Sequence, residues 1–349
     1  MKRIVFAVPG DLATPTGGYA YDRRIVAELG ALGWAVEVAD IGGDFPRPSA
    51  ETLARSRARL TAVPNGIPII VDGLAFGVLP ELAAELQPEH PLIALVHHPL
   101  ALESGIPAED ATLLHAQERA ALAHAHHVVA TSPSTARLLA RDYDVPPRHI
   151  TVALPGSDRR PLATGSIGGT VALLAVGSLV ARKGYDVLIA ALAKVRELPW
   201  RMTIVGDATR DPIAAAALDT DIHGYDLGNR IAIVGAVAES RLDAFYAAAD
   251  LFVLPSRHEG YGMAFAEAIA HGLPVIGTTA GAIPDTVPDG AGVLVPPDDV
   301  EALARALRRL IADAAERRRL GAAARAAAAR LPTWRQSAER IARAIEAVR

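Results

Sequence analysis

At 349 residues, 51% hydrophobic and 21% charged, the chain is long enough for two ordinary domains and too apolar for disorder. Its formal net charge of −4 gives no general attraction to nucleic acid or anionic lipid, so any cations that matter are local. The absence of cysteine excludes disulfides, thiolate metal sites and cysteine nucleophiles.

The chain opens with Lys2-Arg3 before the apolar run Ile4–Val8, which stops at Pro9-Gly10. A signal peptide needs a longer apolar core and a cleavage site, so this run reads as a buried first strand. No apolar stretch approaches bilayer-spanning length. The cytoplasm is therefore the default location, with peripheral membrane contact left open.

Further strands are expected at Ala35–Ala39, Ile67–Val71, Leu92–Val96, Val128–Thr131 and Ile150–Leu154. Helical patterns lie between them at Tyr19–Leu32, Ala108–Ala125 and Pro133–Tyr143, the last with Ser132 as N-cap and proline at its first position. Unbroken apolar strands predict a parallel sheet covered on both faces. A Gly/Pro/Ser/Arg-rich stretch over 156–170 reads as a linker.

The alternation then restarts at Val171–Val176, Met202–Val205, Ile231–Val234, Leu251–Leu254, Pro274–Gly277 and Gly292–Val295. The predicted class is α/β, two Rossmann-like parallel sheets facing each other, with ligands at the strand carboxyl ends. Val300–Arg330 and Trp334–Arg349 are helical, rich in Ala and Arg, and separated by the breaker Pro332. Their arginines are mostly balanced by acids and read as solvated faces, so no nucleic-acid partner is expected.

Several loops carry candidate chemistry. Thr16-Gly17-Gly18 precedes the first long helix and suits close approach to a phosphate, but lacks the Gly-x-Gly-x-x-Gly spacing of dinucleotide enzymes. His97-His98 ends a strand, where an imidazole can orient a hydroxyl or assist at a reacting centre. The cluster His124-Ala125-His126-His127 has no completing carboxylate and no common face, and is not read as a metal site. Arg182-Lys183 sits on the loop after the first strand of the second half, placed to neutralise a diphosphate.

The richest segment is Ser256–Glu267, in which Glu259 and Glu267 bracket a glycine turn leading into a helix. Paired carboxylates suggest a glycosidase. The free amides of a helix start lie between them, however, and favour a bound anion. Acids at the edges and an anion seat at the centre suit a ligand with hydroxyls and phosphates, such as a nucleotide sugar.

The surrounding order extends this pattern: Asn229–Gly235, Leu242–Ser256, Glu259-Gly260-Tyr261-Gly262, Glu267–Ile276, Gly281–Asp285, Asp289-Gly290 and Gly292–Pro297. In sequence and spacing it closely resembles the retaining glycosyltransferases of family 4, glycosyl transferases group 1, which have the GT-B fold. The resemblance covers most of residues 150–300 and is looser before them.

The resemblance implies an acceptor-side domain over 1–155, a linker over 156–170, a donor domain over 171–331 and a crossover helix over 332–349. It implies that Glu267 holds the donor ribose and that Glu259 lies beside the transferred sugar. The amides near Gly262, Met263 and Ala264, in the turn with Gly260 and Tyr261, would meet the sugar or diphosphate. Lys183 matches the family's phosphate-binding lysine, Arg230 and Val234 flank the base, His97 stands near the reacting sugar, and Gly17 and Gly18 approach the donor phosphate or the acceptor. Where many members carry an arginine this chain has Ser178, which leaves open whether Arg182, beside Lys183, takes that cation's place. The implied activity is transfer of a hexose from a UDP- or GDP-sugar, with no metal or other cofactor. An epimerase of the same fold and a non-catalytic nucleotide-sugar-binding protein are the alternatives.

Overall fold

A computed structural model describes residues 2–14, 16–103 and 105–349. The chain divides into two compact units, Met1–Gly156 with Pro332–Arg349, and Ser157–Leu331. The stretch 157–170, expected as a linker, is hydrogen-bonded along the second unit. The Ala163 and Thr164 amides donate to the carbonyls of His271 and Ala247, and Asp250 accepts from the Ser166 amide and hydroxyl.

The first unit is built on six parallel strands, β1 (Lys2–Val8), β2 (Trp34–Asp40), β3 (Ile69–Asp72), β4 (Leu92–Val96), β5 (His127–Ala130) and β6 (Ile150–Val152), in the order β2-β1-β3-β4-β5-β6. β3, β4 and β5 are buried at every position, because crossover helices cover both faces of the sheet. The helix Gly17–Ala31 starts at Thr16, whose hydroxyl accepts from the Tyr19 amide, and buries Tyr21, Asp22, Ile25 and Leu29. Ser132 caps the helix Pro133–Asp142, as its sequence predicts.

The last helix, Trp334–Ala347, returns to this unit and packs on Gly17–Ala31. A Thr333/Gln336 capping box starts it, and the Ser337 hydroxyl donates to the Leu154 carbonyl. Trp334 meets the edge of Tyr21 at 5.8 Å. Gly156 is required beneath it, since a Cβ there would stand 2.2 Å from the Trp334 amide nitrogen.

The second unit repeats the architecture with β7 (Val171–Val176), β8 (Trp200–Val205), β9 (Ile231–Gly235), β10 (Leu251–Val253), β11 (Val275–Thr278) and β12 (Gly292–Val295), in the order β12-β11-β10-β7-β8-β9. The helical stretch expected over 300–330 is two helices, Val300–Ala312 and Ala314–Ala328. Asp313 separates them: its carboxylate accepts from the Glu316 amide, a cap that begins a new helix rather than continuing the old one.

Candidate active site

In the second sheet the winding direction reverses between the neighbours β7 and β10. The carboxyl ends of strands at such a reversal leave a crevice that accepts ligands. β7 leads into the loop carrying Arg182 and Lys183, and β10 leads into the turn carrying Glu259.

Those side chains form one cluster. Lys183 Nζ donates to Glu259 Oε1 at 2.6 Å, and the Ser256 hydroxyl donates to the same oxygen at 2.7 Å. The Arg182 guanidinium donates to the His258 carbonyl at 2.7 Å and reaches Glu259 Oε2 at 3.4 Å. Glu259 is only 6% exposed. Burial pushes its carboxyl up, but Lys183, Arg182 and the Ser256 hydroxyl together outweigh burial and hold it at about 2. Glu259 is therefore a carboxylate at neutral pH and no proton donor.

Gly262 stands at φ +91°, a left-handed conformation that glycine adopts freely, and turns the chain into the helix Met263–Ala270. Its carbonyl accepts from the Phe265 and Ala266 amides at 3.0 and 3.2 Å. Among the described residues the Met263 and Ala264 amides have no main-chain acceptor, as is usual for the first turn of a helix, where such amides can meet an anion.

Glu267 follows one turn into that helix, where the Tyr246 phenol donates to its Oε2 at 2.8 Å. Tyr246 is buried and stacks on His271 with ring centroids 5.0 Å apart. Burial first, then the charge of Glu267, pushes the phenol well above its ordinary range, so it remains a donor. Ser256 and Tyr246 were not anticipated. Ser256 was readable as a hydroxyl three residues before Glu259, whereas Tyr246 meets Glu267 only through tertiary packing.

Arg230 departs from its expected place beside the base. It precedes β9, at the amino end of the sheet, while the crevice lies at the carboxyl ends. Its guanidinium donates to the carbonyls of Arg196, Leu198 and Trp200 and lies 3.8 Å from the Trp200 ring centroid. The physical reason is direction: in parallel strands, residues just before and just after a strand face opposite edges. Val234, near the end of β9, lies at the carboxyl edge and is 39% exposed.

In the first unit the winding reverses between β1 and β3. Gly17 and Gly18 open the helix after β1, Asp72 ends β3, and His97 follows β4. Gly18 approaches His97 closely enough that a Cβ there would touch the ring at 3.4 Å. His97 Nε2 lies 3.2 Å from Asp22 Oδ1 and 3.3 Å from Asp72 Oδ2. Burial disfavours the charged ring, but Asp22 and then Asp72 outweigh it and lift the imidazole to about 10. Neither aspartate was singled out from sequence. Asp22 carried a legible signal as the one acid on the apolar stripe Asp22–Ile25–Leu29.

The neighbouring histidines go elsewhere. His98 faces Glu103 at 3.2 Å. His126 Nδ1 accepts from the Leu92 amide, His127 bonds Thr151, and His124 meets Gln87. These three tie their turn to different neighbours instead of converging.

Comparison with known proteins places this geometry. The family Glycosyltransferase Family 4 matches residues 45–160, and Glycosyl transferases group 1 matches residues 170–313. The D-inositol 3-phosphate glycosyltransferase of Nocardioides sp. is 32% identical over 263 residues, covering 68% of this chain and 57% of the relative. That of Xylanimonas cellulosilytica is 36% identical over 167 residues, covering 48% and 40%. The matches thus span about half the length of these curated relatives. The MMP alpha-(1->4)-mannosyltransferase of Mycolicibacterium hassiacum is 27% identical over 84% of this chain and 74% of its own.

Among solved structures, sucrose-phosphate synthase of Thermosynechococcus elongatus superposes with a TM-score of 0.84 at 24% identity, covering 98% of both chains. Anabaena HepE, determined in complex with UDP-glucose, gives 0.78 at 19% identity over 99% of both. From these matches and the two six-stranded parallel sheets, the chain belongs to glycosyltransferase family 4 and has the GT-B fold.

Proposed function

We propose that the protein transfers a hexose from a UDP- or GDP-linked sugar to an acceptor hydroxyl, with retention of configuration. The observation that carries this reading is the pairing of Lys183 and Arg182 with a fully ionised Glu259 beside the free amides of Met263 and Ala264. A hydrolase needs one carboxyl with a raised pKa to protonate the leaving oxygen. Glu259 is held in the opposite direction. The group that develops charge in a transferase is the diphosphate, and cations with helix amides are what stabilise it.

In this reading the acceptor oxygen attacks the anomeric carbon on the face that the diphosphate leaves. The carbon–oxygen bond to the diphosphate breaks, and the acceptor proton passes to a diphosphate oxygen. Lys183 and Arg182 exchange part of their contact with Glu259 for the diphosphate, and Glu259 turns its freed oxygen to the sugar. Glu267, braced by Tyr246, takes the ribose hydroxyls, and His97 in the first unit serves the reacting sugar. Charge neutralisation falls to protein groups, so the reading calls for no metal. Among the described residues no helix is long and apolar enough to cross a membrane.

The names of the relatives support a sugar donor, since one is a mannosyltransferase and a structural neighbour was determined with UDP-glucose. The test is a panel of nucleotide sugars read by nucleotide diphosphate release, with and without an acceptor screen. Release that depends on an acceptor supports transfer, and a changed sugar without any acceptor points to an epimerase. If no nucleotide sugar binds, the proposal fails.

A further inference from the structure

Three buried polar atoms in the first unit converge without hydrogen-bond partners: both carboxylate oxygens of Asp22 and Nε2 of His97. Asp22 is fully buried, and Asp72 is 2% exposed. The Asp72 carboxylate also caps its own turn, accepting from the Leu74 amide at 2.8 Å through Oδ1, which leaves Oδ2 toward His97. The His97 ring keeps about a fifth of its side-chain surface open (21%), while Nε2 is the buried nitrogen. At 3.2 and 3.3 Å, Nε2 lies within ion-pair distance of both carboxylates.

We infer that Asp22 and Asp72 are positioning residues that hold His97 as a doubly ion-paired imidazolium with its ring fixed, so that His97 presents a permanent N–H donor and never serves as a base. The argument is electrostatic. A buried carboxylate without a donor is expensive, and Asp22 has one cationic neighbour among the described residues, the His97 ring. Burial pushes the Asp22 carboxyl up to about 7 against the pull of His97, so above that value taking the proton from the ring would leave two buried carboxylates facing a neutral group, which favours the charged ring.

The other groups facing the ring do not compensate. Tyr21 meets it edge-on at 5.3 Å and gives its hydroxyl to the Ala153 carbonyl at 2.9 Å. Thr131 donates to the His97 carbonyl at 3.1 Å and fixes the main chain, and Gly18 closes one side. With Nε2 committed inward, Nδ1 is the nitrogen left to donate to an oxygen of a ligand. The fit is to a sugar hydroxyl or phosphate oxygen, both of which accept from an imidazolium. That use in transfer rests on the function proposed above, whereas the charge state does not.

The experiment is a pH titration of the full chain labelled with 15N-histidine, with His97 assigned through His97→Gln and read by long-range proton–nitrogen correlation. In the parent, His97 stays an imidazolium through about pH 8.5, in keeping with its value of about 10. Asp72→Asn keeps the cap on Leu74 and removes one charge, and Asp22→Asn removes the other. Each is expected to lower the His97 midpoint by about one unit or more. In Asp22→Asn, the alkaline limb of the pH profile of kcat/KM for the donor moves down together with the His97 midpoint.

A neutral His97 at about pH 7.5 in the parent overturns the inference, as does a midpoint that neither variant moves. Selective broadening of the His97 signals by stoichiometric Mn2+, abolished by Asp22→Asn, also overturns it, by putting a metal ion where the proton is assigned. A chain that binds no nucleotide sugar while His97 titrates as described supports the charge assignment and refutes the transfer reading alone.

Discussion

Replacing Glu259 with glutamine tests the central cluster because it keeps the side-chain shape and the acceptor for Ser256 while deleting the charge that Lys183 and Arg182 share. The carboxyl sits at about 2 in the folded protein, against an ordinary 4.5. That gap of about 2.5 units corresponds to about 3 kcal/mol favouring the ionised folded state. Because the folded value is depressed, this stabilisation is fully present above about pH 4.5 and is lost as pH falls toward 2. Glu259→Gln should therefore lower stability at pH 7 by about 3 kcal/mol, or roughly 6–12 °C in the transition of the second unit. The difference from the parent should narrow below about pH 4.5. Calorimetric scans of both chains at a series of pH values measure it, with the two units analysed as separate transitions. The same variant removes the negative charge paired with Lys183 and Arg182, so its affinity for a nucleotide diphosphate should hold or rise while turnover falls at least tenfold. A variant as stable as the parent at pH 7 would refute the electrostatic accounting. Unchanged turnover would refute the role given to Glu259.

Tyr246→Phe removes the hydroxyl that donates to Glu267 Oε2, so donor KM should rise about three- to tenfold with a smaller change in kcat, measurable by initial rates and by calorimetric donor binding. Arg230→Gln should destabilise the second unit by about 1–3 kcal/mol, since it strips donors from the Arg196, Leu198 and Trp200 carbonyls. It should leave donor affinity unchanged, and a clear loss of affinity would return Arg230 to the base site. Glu118 is buried, accepts from the Leu100 amide at 2.9 Å, and is pushed up to about 8, chiefly by burial. Its raised folded value means the first unit loses stability as pH climbs from about 4.5 to 8. Glu118→Gln should therefore be the more stable chain at pH 8, and the advantage should vanish near pH 4, as urea titration would show.

Much of the fold was legible along the chain because its determinants are local. All twelve described strands fall on the apolar runs, from Ile4–Val8 to Gly292–Val295, and β4, buried at every position, is continuously apolar because both its faces are covered. The polar, arginine-rich helix Ala50–Thr61 buries only Ser56 and Leu60 and was not singled out, for want of an apolar stripe. In the site, Lys183 and Glu259 were legible as charges on glycine-bounded loops after strands, and Glu267 as an acid one turn into the helix that follows. Arg230 misled because a charge flanking a strand carries no mark of which sheet edge it faces.

What the sequence determined by itself is therefore the alternation of strand and helix, the helix starts at Ser132 and Gly262, and the family motif around Glu259 and Glu267. These depend on periodicity, capping and turn chemistry, all short in range. Only the tertiary structure decided that Lys183, Arg182, Ser256 and Glu259 share one ion-pair cluster, that Tyr246 braces Glu267, and that Asp22 and Asp72 clamp His97. Those contacts join residues 21 to 77 positions apart, apart from the local Ser256–Glu259 bond. Their charges act over a few ångströms of buried space, a distance that chain order does not encode.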